Sequence, residues 1–398
     1  VNERTVIDTP EGFDAAVTRI AAGTGPIAID AERASGYRYS QRAYLIQVFR
    51  RGSGSFLFDP PAIGDMSALG AAGGDEEWVL HAASQDLDCL REVGIRPTRL
   101  FDTELSARLL GYPRVGLGAV VEQLLGIHLA KEHSAVDWST RPLPDSWLEY
   151  AALDVELLVD LRDRLAGELR EAGKDGIAAQ EFDAELSKPA KPPRAEPWRR
   201  LSGVHAIRGQ QNLAVARELW TVRDKHARGT DTAPGRLIPD SSIIAVVKEK
   251  PRTKAQLAAM RTFRGRASRT ELDRWWAAIE QGRASTEPFA PRVPGETLPP
   301  PRAWAEKNPA ADARLKAAKA HVTELSEARS IPVENLLTPD YLRRVAWAPP
   351  SPLTASSIDD ALATLGARPW QRELLAAEVA RLFVEADQSP GEAPSAGS

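Results

Sequence analysis

The sequence predicts an α/β layer domain followed by two all-helical units. Three observations predict it. Strand signals crowd into the first part of the chain and then alternate with helical ones; two proline-rich seams interrupt the chain; and the periodic segments beyond the first seam are helical.

Residues 26–30, Pro-Ile-Ala-Ile-Asp, form a short apolar run ending in a carboxylate. Residues 44–49 and 55–59 follow as strands around the turn signal Gly52-Ser53-Gly54, and residues 78–81 form a fourth. Helical patterns cover 87–93, 103–110, 117–125 and 146–165. The last carries Leu148, Ala151, Ala152, Val155, Leu158, Val159 and Leu165 at helical spacing. Three successive strands and then alternation imply a mixed sheet covered by helices. The first seam, within 187–196, is too proline-rich and polar to pack. The basic unit, 197–285, has amphipathic stretches at 210–225, 254–260 and 270–280, and a helix start in 239–247 with Asp240 or a serine as cap. A second seam spans 286–301 and contains Pro299-Pro300-Pro301. The third unit, 302–387, echoes the second with helical signals at 312–329, 331–337, 339–347 and 371–384, a weak internal repeat. Residues 388–398 are Ser/Gly/Pro/Ala-rich and are expected to be disordered. The first unit is therefore 1–186.

A chain of 398 residues has room for two to four domains. No apolar run approaches the roughly 20 residues of a membrane-spanning helix, and Val-Asn-Glu-Arg opens no basic-then-apolar leader. The single cysteine, Cys89 in Leu-Asp-Cys-Leu, excludes an intramolecular disulfide and reads as a small apolar helix residue. A cytoplasmic location is expected. The net charge of −4 hides an asymmetry. Residues 1–186 carry 18 Lys/Arg against 31 Asp/Glu, a net of −13; residues 197–285 carry 18 against 8, a net of +10. An acidic block joined to a basic one suits a metal-dependent nuclease tied to a nucleic-acid-binding module.

Three constellations carry chemistry. Asp30 and Glu32 lie two apart on a predicted strand, so both face one side. Two such carboxylates repel in low dielectric unless hard cations such as Mg²⁺ or Mn²⁺ neutralise them. Asp86 follows a strand and precedes a helix, at the strand end where α/β folds place ligands; the competing reading is a helix cap. Asp88, two residues on, should face solvent. Tyr150 and Asp154 lie four apart on a helical segment and share a face. His81 should pack or hydrogen-bond near the site. The histidines have no zinc spacing, and no phosphate-cradling glycine loop is present. Trp275-Trp276 could stack on bases, although a core role suits at least one of them better.

Together Asp30-Ala31-Glu32, Asp86 in His-Ala-Ala-Ser-Gln-Asp-Leu, and Tyr150 with Asp154 resemble the three motifs of the DEDDy exonucleases. The whole chain resembles the ribonuclease D family; Leu57-Phe58-Asp59-Pro60, Phe101-Asp102-Thr103 and the loop Asp137 to Leu143 add to the likeness. The resemblance implies a ribonuclease H-like mixed sheet, an HRDC domain at 197–285 and a second HRDC-like domain at 302–387. It also implies two-metal hydrolysis. Asp30, Glu32 and Asp154 would hold one ion, Asp30 and Asp86 would hold or orient a second, and Tyr150 would position the attacking water. Nucleoside 5′-monophosphates would leave the 3′ end of RNA, chiefly tRNA precursors. Arg141 in the loop and Arg261, Arg264, Arg266 and Arg269 before the helix at 270 are the expected nucleic-acid contacts. A Werner-type exonuclease acting on single-stranded DNA and a non-catalytic RNA-binding scaffold are the competing readings. No membrane and no obligate protein partner are expected.

Overall fold

The computed structural model describes residues 5–129, 133, 135–189, 192, 194–287 and 298–388. Of the expected linkers and tail, residues 190, 191, 193, 288–297 and 389–398 lie outside the described residues.

Six strands form one mixed sheet: β1 (Val6–Ile7), β2 (Thr24–Arg33), β3 (Ala43–Arg51), β4 (Gly54–Phe58), β5 (Glu77–Leu80) and β6 (Arg99–Asp102), in the order β1-β4-β3-β2-β5-β6. The β2-β3-β4 meander is antiparallel, whereas β5 runs parallel to β2, β6 to β5 and β1 to β4. This puts β2 in the middle, with its carboxyl end beside that of β5. Side-chain alternation separates two packing layers. Phe56 and Phe58 join Phe13 of the helix Pro10–Ala21 in one core; Leu57 between them joins Leu45, Leu148 and Ala151 in the other.

The helix expected over 146–165 is two helices, Asp145–Glu156 and Leu158–Glu171. The chain changes core just before this break, with Val155 of the first helix already in the larger cluster. Leu148, Ala151 and Ala152 pack under β3 and β4, while Leu158, Val159, Leu161 and Leu165 enter the larger cluster. Strands β1 and β6 and the helices Pro10–Ala21, Asp175–Ser187 and Ala355–Leu365 are additions to the sequence reading. The two strands are too short to show a period, and Asp175–Ser187 has little amphipathic contrast.

Helices Gln210–Gly229, Asp240–Glu249 and Leu272–Ala284 enclose a separate core around Leu219, Ile243, Phe263 and Trp275. They cross closely at Gly282, where a Cβ would stand 2.5 Å from Val215 Cα. Asp240 opens its helix at the first turn and its side chain caps no helical N–H; it holds Arg223 and the Ser202 amide instead. The C-terminal helices Pro309–Arg329, Pro339–Trp347, Ala355–Leu365 and Pro369–Gln388 pack into a core continuous with that of the sheet domain. Trp370 Nε1 donates to Glu181 Oε1 at 2.8 Å across this junction, and Arg368 pairs with the same carboxylate. No helix among the described residues is long and apolar enough to cross a membrane.

Candidate active site

Alternation along β2 sends Ile29 and Ala31 into the main core, so Asp30 and Glu32 project from the other face, toward the helix Asp145–Glu156. Gln47, opposite Asp30 on β3, is fully buried and donates from Nε2 to Asp30 Oδ2 at 3.1 Å. That bond fixes the carboxylate from below. From the helix, Tyr150 and Asp154 reach the same space while Leu148, Ala151, Ala152 and Val155 anchor the buried side. The Tyr150 hydroxyl lies beside the Asp154 carboxylate.

Asp86 arrives by a tighter route. After β5 the chain passes through Ala82 in the left-handed region (φ 59°), a short 3₁₀ turn at Ala83–Gln85, and then Asp86. Asp86 occupies the cap position of Leu87–Glu92, yet its side chain accepts no bond from that helix. It turns to Asp30 and to Arg33, whose Nη2 stands 3.3 Å from its Oδ1. Asp88 points outward and pairs with Arg91.

Asp102 holds this turn. Its Oδ1 accepts from Ala82 N at 3.0 Å and its Oδ2 from Ala83 N at 2.8 Å. The same Oδ1 caps the helix Thr103–Leu109 through Glu104 N and Leu105 N. Burial raises the Asp102 carboxyl to about 6 despite these donors. The sequence displayed Phe101-Asp102-Thr103 but not this role, because the donors lie about 20 residues upstream.

These side chains line one cavity of about 330 Å³: Asp30, Glu32, Arg33, Asp86, Tyr150 and Asp154. One carboxylate oxygen each of Asp30, Glu32 and Asp154 lie within 4.8 Å of one another. Burial raises Asp30, and burial with repulsion from Asp30, Asp154 and Asp86 raises Glu32 well above the usual carboxylate range. Asp86 is pushed up to about 8 by burial and by Asp30, with Arg33 pulling back; Asp154 reaches about 8 for the same first two reasons. Among the described residues, four half-buried or buried carboxylates face one guanidinium. An all-oxygen, strongly anionic donor set of this kind fits hard divalent cations. His81 borders the cavity, with Nδ1 2.8 Å from Thr103 Oγ1, and burial lowers it to about 4, so it is neutral.

The other expected residues lie apart. Arg141 is engaged along its whole guanidinium: Nε donates to Asp59 at 2.6 Å, Nη1 to the Trp138 and Thr140 carbonyls, and Nη2 to the Tyr44 carbonyl. It braces the loop before the Tyr150 helix. Arg261, Arg264, Arg266 and Arg269 are exposed on the basic unit, and among the described residues none of their side chains has an ion-pair or hydrogen-bond partner. Trp275 and Trp276 are both buried in that unit's core. Sequence reasoning missed Arg33, Gln47 and Asp102. The signals available were the adjacency of Arg33 to Glu32 and the Phe101-Asp102-Thr103 likeness, which did not give Asp102 its role.

Residues 5–170 match a family described as 3′-5′ exonuclease, residues 212–279 the HRDC domain, and residues 297–383 a 3′ to 5′ exonuclease C-terminal domain. Ribonuclease D of Pseudomonas paraeruginosa is 30% identical over 280 residues, spanning 69% of this chain and 73% of that protein. Among solved structures, a protein from Bifidobacterium adolescentis has a TM-score of 0.87 at 38% identity, covering 96% of this chain and 97% of its own. Escherichia coli RNase D, described as an exoribonuclease involved in structured RNA processing, has a TM-score of 0.66 at 25% identity, covering 96% and 98%.

Proposed function

The chain belongs to the ribonuclease D family and is a 3′-5′ exonuclease, and from that premise we propose that it trims the 3′ ends of structured RNAs, tRNA precursors among them. The observation that carries this reading is the convergence of Asp30, Glu32, Asp86, Tyr150 and Asp154 on one cavity. Asp30, Glu32 and Asp154 would hold one divalent cation, and Asp30 with Asp86 a second. Bound there, Mg²⁺ or Mn²⁺ supplies Lewis acidity that activates water at neutral pH and offsets charge on the departing oxygen.

The chain's own groups set the geometry. Gln47 keeps Asp30 oriented, and Asp102 keeps the turn that delivers Asp86. The Tyr150 hydroxyl stays protonated, since burial and the neighbouring carboxylates raise it, so it can orient a water without becoming a nucleophile. The water oxygen bonds to phosphorus, the bond from phosphorus to the 3′ oxygen of the preceding nucleotide breaks, and that oxygen takes up a proton. A nucleoside 5′-monophosphate leaves. A carboxylate cavity repels a polyanion, so affinity comes from the basic unit, where the side chains of Arg261, Arg264, Arg266 and Arg269 are exposed and have no partner among the described residues.

The test is digestion of matched RNA and DNA strands labelled at the 5′ end, with Mg²⁺, with Mn²⁺ and with EDTA. Stepwise shortening of RNA, abolished by EDTA and lowered by orders of magnitude in Asp30→Asn, is the expected result. Preference for DNA would move the substrate class. Full activity of Asp30→Asn at saturating metal would remove the site.

A further inference from the structure

Among the described residues, Arg33 is the one Lys or Arg lining the carboxylate cavity. On a regular strand it would point away from Glu32, into the layer that Ala31 enters. The β2–β3 register shifts between Glu32 and Arg33, and this irregularity brings Arg33 round to the side of Asp86. The contact it gains is loose. The pair is 3.3 Å apart, and among the described residues the Arg33 side chain makes no hydrogen bond, whereas Arg141 grips Asp59 at 2.6 Å and three carbonyls besides. A quarter of the Arg33 side chain remains accessible, against 7% for Asp86.

We propose that Arg33 is an exchangeable counter-ion. It lies against Asp86 as a cation of the cavity while the site holds no metal, gives way to divalent cations, and then binds the phosphate of the 3′-terminal nucleotide. The argument is electrostatic. Divalent cations bind carboxylates in their ionised form, and among the described residues Arg33 is the one Lys or Arg within the cavity they would enter. A guanidinium cannot lose its proton, so metal loading sets it against like charge and weakens its hold on Asp86. The anion that arrives next is the substrate's phosphate, for which the planar donor fork of arginine is suited. The loose pairing and the remaining accessibility are what exchange requires.

This rests on the reading that the carboxylates take divalent cations, and the experiment separates the two. Wild type, Arg33→Gln and Arg33→Lys are titrated calorimetrically with Mn²⁺ in the absence of RNA, and their melting temperatures are measured with and without metal. Arg33→Gln should melt lower than wild type without metal, yet bind Mn²⁺ about tenfold more tightly, since a nearby positive charge has been removed. Arg33→Lys should stay near wild type in both. The KM for RNA at saturating Mn²⁺ should rise about tenfold in Arg33→Gln while kcat changes less. No Mn²⁺ binding by the wild type would sink the divalent-cation reading itself. Binding by the wild type with unchanged affinity in Arg33→Gln would overturn the counter-ion role alone, and an unchanged KM would overturn the transfer to phosphate.

Discussion

The hydroxyl of Tyr44 on β3 donates to Asp231 Oδ2 at 3.0 Å, joining the sheet domain to a residue of the basic unit 187 positions away. Asp231 is held there in the left-handed region, φ 44°, and also accepts from Ser40 N at 2.8 Å. Around it Tyr39 donates to Asp224, Arg236 Nε to the Gly36 carbonyl, and Ala233 N to the Tyr37 carbonyl. All these contacts fall on residues 36–44, the connection from the strand that carries Asp30 and Glu32 into the first residues of β3.

Asp231→Ala should therefore loosen the docking of the basic unit without touching either core. Loss of charge-assisted bonds at a half-buried junction should cost roughly 1–3 kcal/mol of coupling. Calorimetry should resolve two transitions in place of one, and proteolysis within 36–44 should accelerate. A single transition with unchanged cleavage would mean that the units are held by other contacts.

Asp102 offers a second test. Asp102→Ala strands four backbone donors, those of Ala82, Ala83, Glu104 and Leu105. The expected cost is roughly 2–4 kcal/mol. Turnover should fall as well, because the turn at Ala82 places Asp86. Urea unfolding and turnover at saturating Mg²⁺ measure the two effects. Full turnover in a destabilised variant would separate Asp102 from the site.

Much of the site was legible because its parts follow local rules. Asp30 and Glu32 share a face by strand alternation, and Tyr150 and Asp154 by helical spacing. What was not legible depends on partners distant in sequence. The pairing of Arg33 with Asp86 needs a register shift that no motif announces. The double role of Asp102 needs β5 and β6 to be adjacent, and Arg141 proves fully engaged only once Tyr44 and Asp59 are placed beside it. In the fold, the segment 146–165 reads as one helix because both halves are apolar at the same period, which carries no sign of the break at Leu157.

Tyr150→Phe removes only the hydroxyl beside Asp154. Turnover should drop by roughly 10²-fold. RNA affinity measured with Ca²⁺ in place of the catalytic metal should hold, since the ring still packs. A matching loss of affinity would make Tyr150 a substrate contact instead.

Stability should depend on pH in a direction set by the cavity. Asp86 and Asp154 stand near 8 in the folded, metal-free protein against an ordinary 3.8. The folded state thus holds their protons more tightly than the unfolded state does. Stability from those protons is complete below about pH 4 and is lost as pH rises through 8. Metal reverses this by replacing the protons, so its affinity should rise over the same range. The gain in melting temperature on adding Mg²⁺ should widen between pH 6 and pH 8.5, and Asp86→Asn should narrow it. A gain that is flat with pH would contradict the raised values.

The last prediction concerns the division of labour between the acidic and basic units. The side chains of Arg261, Arg264, Arg266 and Arg269 are exposed and, among the described residues, unpartnered, and the unit carries a net charge of +10. If each meets one phosphate of a single strand, replacing all four by alanine should reduce the slope of log affinity against log salt by roughly 0.7 per contact. Binding should weaken at every RNA sequence, because phosphate contacts carry no base information. Turnover at saturating RNA should change little, since the carboxylate cavity is untouched. Arg141 supplies the contrast: engaged with Asp59 and three carbonyls, it should alter stability on replacement and leave the salt slope alone. Affinity measured between 50 and 300 mM salt, roughly the range where screening is informative, decides the matter. A slope unchanged in the quadruple variant but reduced in Arg141→Ala would move the RNA grip from the basic unit to the nuclease face.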